Sequence, residues 1–316
     1  MSDQHGVLVL GFGGVTDTCC KRKADCPGRV ECFVSKVLDD DPRQAARVAE
    51  VAAHYHALGG VSPYNPLTFA QAEALEAELA RRGRPMPVRC GFRNWAPWYA
   101  DGLRALHEAG CSHYRAVVMS VQQTRRSWED YLDQCAEAAQ DLGDAAPRRA
   151  GVIEPYFAGA GFVAACAAEI KVATVGWDEQ RYDQATLLLT AHAIPVLAER
   201  SSPYRAQVEH SAGLIAAAAE HPAHEVGYQS APDPSRIPWS TPTVSEQIRA
   251  AAAAGARDII VQAVGFLVDH VEVAYDLDIE ARALCAELGC GYTRARCVHD
   301  HPAFISELAD RVLALD

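Results

Sequence analysis

The sequence predicts an α/β protein built on parallel sheets. Three observations carry that reading. Short apolar runs alternate with longer amphipathic segments, the rhythm of strand followed by helix. The apolar share is 49%, enough for a sizeable core. Eight strand candidates in 316 residues exceed one mononucleotide-type unit, so the length suits one large domain or two of ordinary size.

Taken in order, strands are expected at Gly6–Gly11, Val88–Phe92, Arg115–Ser120 and Ala150–Glu154, then at Ala185–Ala191, His224–Gln229, Asp258–Ala263 and Gly291–Arg296. Helices are expected at Pro42–Leu58, Thr68–Arg82, Ala96–Ala109 and Ser127–Leu142. A second set falls at Gly159–Lys171, Tyr204–Glu220, Thr241–Ala254, Val268–Leu288 and Pro302–Leu313. Some boundaries have a chemical reason. Asp39-Asp40-Asp41 puts an acidic cap before Pro42 at the first helical position. Gly255 after the alanine run suits a helix C-terminus. Thr241-Pro242 opens its helix as the acidic run opens the first. Periodicity lapses over Val172–Gln184, which reads as a linker.

Net charge is −12, which argues against nucleic acid and against an anionic membrane surface as partners. Met1–His5 lacks the basic start of a secretory signal, and no apolar stretch is long enough to span a bilayer, so a cytoplasmic protein is expected. Eleven cysteines scattered over a long chain do not form a secreted disulfide framework. Gly11-Phe12-Gly13-Gly14 lacks the third glycine and the downstream acid of a dinucleotide fingerprint. Its glycines instead permit close backbone approach to a large flat ligand.

The chemistry concentrates in two segments. Thr190–Pro195 (TAHAIP) places His192 just after the apolar run Leu187-Leu188-Leu189. Val264–Ala281 carries Glu272, Asp276 and Glu280 at steps of four, which stack on one helix face. Like charges in such a column repel, so a purely structural helix gains nothing from them. A row of carboxylates leading to a histidine suits passage of a divalent cation or a proton. Taken singly, His192 reads as a core histidine with both nitrogens bonded, and the acids as a solvated face. The apolar neighbours Val271, Val273 and Ala274 weaken the second alternative for Glu272, and for Glu280 the two stand level.

These segments resemble the signature regions of the ferrochelatases, which insert ferrous iron into a porphyrin. The resemblance spans nearly the whole chain, through Gly11–Gly14, His54–Asn65, Phe92–Pro97, Ser201–Val208, Tyr228–Ser230 and Ile237–Trp239. It is nearest the bacterial branch that uses coproporphyrin. It implies two similar doubly wound, Rossmann-like domains of chelatase type with parallel sheets. The first would be 1–175 plus 298–316, with the last helix packing back on it, and the second 176–297. It implies His192 and Glu272 as catalytic and metal-handling groups, with Asp276 and Glu280 guiding ions and Asp269 and His270 supporting them. Porphyrin contacts fall to Phe12, Gly13, Tyr64, Arg125 and Trp239, with Trp95 and Trp128 as further aromatic candidates. Phe12 stands where some relatives have a metal-reaching tyrosine, and it cannot ligate. Ferrous ion enters as substrate beside coproporphyrin III or protoporphyrin IX, no nucleotide is needed, and the chain would act as a monomer or homodimer.

Two segments depart from the family pattern. Val37–Gln44 (VLDDDPRQ) replaces an arginine-and-glycine stretch that helps hold the propionates. Three aspartates there would repel the substrate's acids, leaving Arg43, Arg47, Arg125 and Arg126 as substitutes. Cys19, Cys20, Cys26 and Cys32 fall within Cys19–Cys32 without a clean zinc spacing. They read either as a zinc or iron–sulfur site or as a flexible reduced loop. These departures keep open a non-catalytic tetrapyrrole binder, and a chelatase for another metal or macrocycle.

Overall fold

The protein is described by a computed structural model covering residues 4–221, 223–232, 235 and 237–315. Eight strands form along the chain: β1 (His5–Gly11), β2 (Val88–Phe92), β3 (His113–Val118), β4 (Arg148–Val152), β5 (Thr186–His192), β6 (His224–Gln229), β7 (Asp258–Ala263) and β8 (Gly291–Ala295). They build two four-stranded sheets, ordered β2-β1-β3-β4 and β6-β5-β7-β8, with every pairing parallel. The parallel, two-sheet α/β expectation therefore holds. Parallel neighbours need crossovers, and helices supply them.

The first unit comprises 1–119, 128–154 and 308–316. Leu8 and Leu10 of β1 and Tyr114, Ala116 and Val118 of β3 face a core shared with Leu103, Leu106, Trp128, Tyr131 and Cys135. Asp41 caps the turn beginning at Pro42 by accepting the Arg43 N–H at 3.0 Å, as the acidic run implies. Residues Arg29–Val37, outside the helices expected from the sequence, form a helix with Val30, Cys32, Phe33 and Val34 buried.

The second unit comprises 120–127 and 155–307. The change of unit falls at Glu154/Pro155 and not near 175. Helix Ala160–Ala173 packs on helix Tyr204–Ala218 and against β7 and β8, so it belongs with the second sheet. The expected linker is likewise interior to this unit. Within it, Glu179–Gln184 is helical, Arg181 pairs with Asp258 at 2.8 Å, and the Tyr182 hydroxyl donates to the Ala219 carbonyl at 2.8 Å. The helix after Pro242 is capped by Thr243, whose side chain and that of Glu246 satisfy each other's N–H groups. Gly255 ends that helix at φ +89°, as expected.

The segment from Val271 to Glu287 starts and finishes as α-helix, but Ala274–Ala281 is a π-helix. In that form N–H groups reach the carbonyl five residues back, so the turn is wider. The Arg282 N–H accordingly bonds the Leu277 carbonyl. A step of four on an α-helix overshoots a full turn by about 40°. The wider turn undershoots it, so a segment mixing the two keeps residues four apart in line.

Candidate active site

In the second unit the C-terminal ends of three adjacent strands meet, where open parallel sheets place their ligand crevice. β5 ends on His192, β6 on Gln229 followed by Ser230, and β7 runs into the loop carrying Phe266, Asp269 and His270. The π-segment brings its acids to the same edge.

His192 Nε2 lies 3.4 Å from Glu272 Oε2, within ion-pair reach. The side chains are 37% and 26% exposed, so the pair is open to an incoming ligand. His192 Nδ1 bonds the Ala193 carbonyl. A carbonyl only accepts, so the proton sits on Nδ1 and the neutral ring turns its Nε2 lone pair toward Glu272. Burial pulls the imidazole pKa down, but the hydrogen bond and charge of Glu272, with Ala193 and Asp276, raise it overall. The pair is thus built to hold a proton. Tyr204 donates to the His192 carbonyl at 2.7 Å and fixes the end of the strand.

Asp276 is the carboxyl of the site whose pKa is raised. Burial, aided by the charge of Glu272, outweighs Ser230, His192 and Gln229 and pushes its pKa up to about 6. Ser230 Oγ donates to its Oδ2, and Gln229 Nε2 does so at 3.3 Å. Gln229 is itself oriented by Thr190, whose hydroxyl donates to its Oε1 at 2.9 Å. Glu272 and Asp276 are half-buried while Glu280 is exposed, so the column runs from the histidine out to solvent.

His270 accepts the Glu272 N–H on Nδ1 at 3.2 Å and lies edge-on to Phe266 at 4.7 Å. Burial lowers its pKa, so it stays neutral and caps the short helix that carries Glu272. Asp269 accepts from Arg294 at 2.7 Å and meets His299 Nε2 at 2.9 Å; despite burial, these partners hold its pKa far below the usual carboxylate range.

The amino-terminal loop is organised within the first unit. Tyr64, 8% exposed, accepts the Phe12 N–H on its hydroxyl at 2.9 Å, so it braces the loop. Burial lifts its pKa to about 12. A Cβ at Gly11, Gly13 or Gly14 would meet Phe92, Tyr64 or Ser62 below 3 Å. The glycines therefore admit the protein's own packing, a nearer reason than ligand approach. Trp95 and Trp128 are core: Trp95 Nε1 donates to Thr16, and Trp128 packs on Tyr131 and Cys135. Trp239 is half-buried beside Ala193 and Tyr204, and its backbone bridges to Pro195.

The acidic run is not a free negative patch. Asp40 accepts from Lys23 and Ser35, each at 2.7 Å, and from Arg22 at 3.1 Å. Asp41 holds Arg43 through two guanidinium nitrogens. The expected repulsion fails because two of the three aspartates are neutralised locally, and Arg43 is engaged by the same run. Arg47 pairs with Glu50, while Arg125 and Arg126 are exposed.

The cysteine-rich segment meets this hub through Lys23, which donates to Asp40, and Arg22, which donates to the Cys32 carbonyl at 2.9 Å. Cys20 and Cys32 are buried with sulfurs 4.0 Å apart, and Cys26 turns to the Gly28 carbonyl at 3.4 Å. Cys19 Sγ accepts the Lys21 N–H at 3.4 Å. Among the described residues, no three His, Cys, Asp or Glu side chains surround one point as metal ligands.

Two parallel sheets with a histidine–carboxylate edge define a chelatase-type protein. SirB from Bacillus subtilis with Fe3+ superposes with a TM-score of 0.60 at 15% identity, covering 99% of this chain and 95% of that one. At such identity the likeness speaks for the fold alone. The ferrochelatase family model matches residues 25–315. A coproporphyrin III ferrochelatase of Mycobacterium sp. (strain JLS) is 36% identical over 92% of this chain and 82% of its own length. One from Mycolicibacterium vanbaalenii is 35% identical over 98% and 89%. The chain belongs to the ferrochelatase family. It is a porphyrin metal chelatase of haem biosynthesis with ferrous iron as substrate, which sets aside the non-catalytic alternative.

Spacing along the chain does not mark Ser230, Gln229, Tyr204 or Arg294 as site residues. Ser230 and Gln229 stood within a matched block but carried no spacing that ties them to Asp276.

Proposed function

We propose that this chelatase inserts Fe²⁺ into coproporphyrin III, with His192 and Glu272 taking up the pyrrolic protons and handing over the metal. The single observation that carries the roles is the 3.4 Å approach of His192 Nε2 to Glu272 Oε2 at the strand ends. The Nε2 lone pair faces that carboxylate, so a proton arriving on either group is shared by both. Asp276 and Glu280 extend the carboxylates outward, a set of hard oxygen donors that conducts a hydrated divalent ion toward an imidazole. The choice of macrocycle rests on the mycobacterial relatives named for coproporphyrin III.

Phe12 and Gly13 of the first unit, with Tyr64 bracing their loop, and Trp239 of the second unit are the residues proposed to contact the ring. Arg125 meets an acid group of the porphyrin. Its segment is rooted by Gln122, which donates to the Val264 carbonyl at 3.4 Å, at the base of the His270 loop. Each copy carries His192, Glu272 and Asp276, so a monomer or homodimer serves equally. Eleven free thiols suit a reducing, cytoplasmic setting. No described helix is long and apolar enough to cross a membrane.

His192→Ala is expected to abolish metallation in an anaerobic assay while the protein keeps its unfolding transition. An active variant sinks the assignment. Comparison of coproporphyrin with protoporphyrin, each with Fe²⁺, Co²⁺ and Zn²⁺, tests the macrocycle and the metal. A higher kcat/KM for protoporphyrin overturns the substrate.

For the amino-terminal thiols the narrower proposal is a resident zinc ion or iron–sulfur cluster on Cys19, Cys20, Cys26 and Cys32. Its support is the 4.0 Å separation of the Cys20 and Cys32 sulfurs, close to that of two thiolates on one tetrahedral centre. Exposed Cys19 and Cys26 would turn inward to complete the set. Iron, sulfide and zinc analysis of protein purified anaerobically decides it. Colourless, zinc-free protein from iron-replete cells ends the idea.

A further inference from the structure

We propose that Arg294 is a positioning residue for iron delivery, acting with Tyr292 as a clamp that aims the acid column at His192. This rests on the reading of Glu272 and Asp276 as the iron path. Both residues lie on β8, two apart, and so share one face of the sheet.

Arg294 Nη1 donates to Asp269 Oδ1 at 2.7 Å, and Nε donates to Asp278 Oδ1 at 2.6 Å. Asp269 immediately precedes His270, which caps the short helix bearing Glu272. Asp278 lies two residues beyond Asp276 in the π-segment. One guanidinium therefore pins the helical segment on both sides of its two inner acids. It is 15% exposed, and its bonds to charged acceptors in a shielded place are stronger than surface pairs. Tyr292 adds a second hold. Its hydroxyl donates at 2.7 Å to the Leu277 carbonyl, which also accepts the π-type bond from Arg282. The wide turn next to Asp276 is thus fastened to β8 through a side chain and through the backbone. A planar guanidinium reaches both carboxylates at once, whereas an ammonium is a single point of charge.

The test is steady-state metallation of coproporphyrin by Fe²⁺ under anaerobic conditions, with each substrate varied in turn. Arg294→Met is expected to raise KM for iron at least tenfold and to leave the porphyrin KM within twofold. Arg294→Lys should recover part of that loss, and Tyr292→Phe should raise the iron KM about threefold. Arg296→Met, on the same chain segment but paired with Glu169, is the control and should leave both constants unchanged. The clamp is overturned if Arg294→Met leaves the iron KM in place, or if both KM values rise together. Should Arg294→Met fail to fold, Tyr292→Phe decides, and an unchanged iron KM counts against the clamp. Asp276→Ala separates the two claims. If it leaves the iron KM unmoved, the path itself is wrong. If it raises the iron KM and Arg294→Met does not, only the clamp fails.

Discussion

Ser230, held at φ +66° just past β6, gives its hydroxyl to the Asp276 carboxylate on the π-segment. A non-glycine residue in that region costs roughly 1 kcal/mol and persists where its surroundings demand it. Here the reward is a hydrogen bond that opposes the upward shift of Asp276 caused by burial.

Ser230→Gly keeps the backbone conformation at ease and removes only the hydroxyl. The Asp276 pKa is then expected to climb about one unit further, the size of a lost hydrogen bond to a charge. At neutral pH its ionised fraction falls from about nine-tenths to about one-half, so kcat/KM for iron falls about twofold. The acid limb of the pH–rate profile moves upward by the same amount. A profile that overlays the wild type refutes the link.

Asp276 also sets a trade between stability and function. Its folded pKa, about 6, lies above the ordinary value of 3.8, so the native state binds the proton more tightly. Its charge costs nothing below about pH 4, and the cost grows between pH 4 and 6 and is complete above. Asp276→Asn should be more stable than wild type at pH 8, by up to roughly 2–3 kcal/mol, and equal to it near pH 4. Urea unfolding at both values reads this. A stability gap that does not change with pH contradicts it.

Tyr64→Phe removes the acceptor of the Phe12 N–H. A buried donor left unpaired costs about 1–3 kcal/mol. The expected result is a lower Tm together with a higher porphyrin KM, while the iron KM stays. Loss of stability with unchanged porphyrin binding separates the loop from the substrate.

Asp40→Asn takes the charge from the hub that holds Arg22, Lys23 and Ser35. Arg22 also reaches the Cys32 carbonyl at 2.9 Å. Freed of its partner, the segment should open. The buried thiols of Cys20 and Cys32 should then react with a thiol reagent several-fold faster than in wild type. Equal rates would mean that other contacts hold the segment.

The strand–helix rhythm was readable without coordinates, because buried parallel strands are continuous apolar runs and their periodicity is local. Val88–Phe92, His224–Gln229, Asp258–Ala263 and Pro302–Leu313 fall as the residues imply. His192 at a strand end and the acids at steps of four were equally plain, being fixed by spacing along one element. Unreadable features depended on residues far apart in sequence. The helix Arg29–Val37 is stabilised by a buried face and not by strong local signals. The aspartate run reads as repulsive from the sequence because the partners of Asp40, Arg22 and Lys23, lie in an earlier segment. The π-turn, the Ser230–Asp276 bond and the Arg294 bridge likewise exist only once β5, β6, β7 and β8 are side by side. The order of residues by itself determined the sheets and the kinds of group at the site. Folding alone decided which carboxylates are neutralised, which is lifted in pKa and what holds them in line, because electrostatic environment depends on neighbours in space.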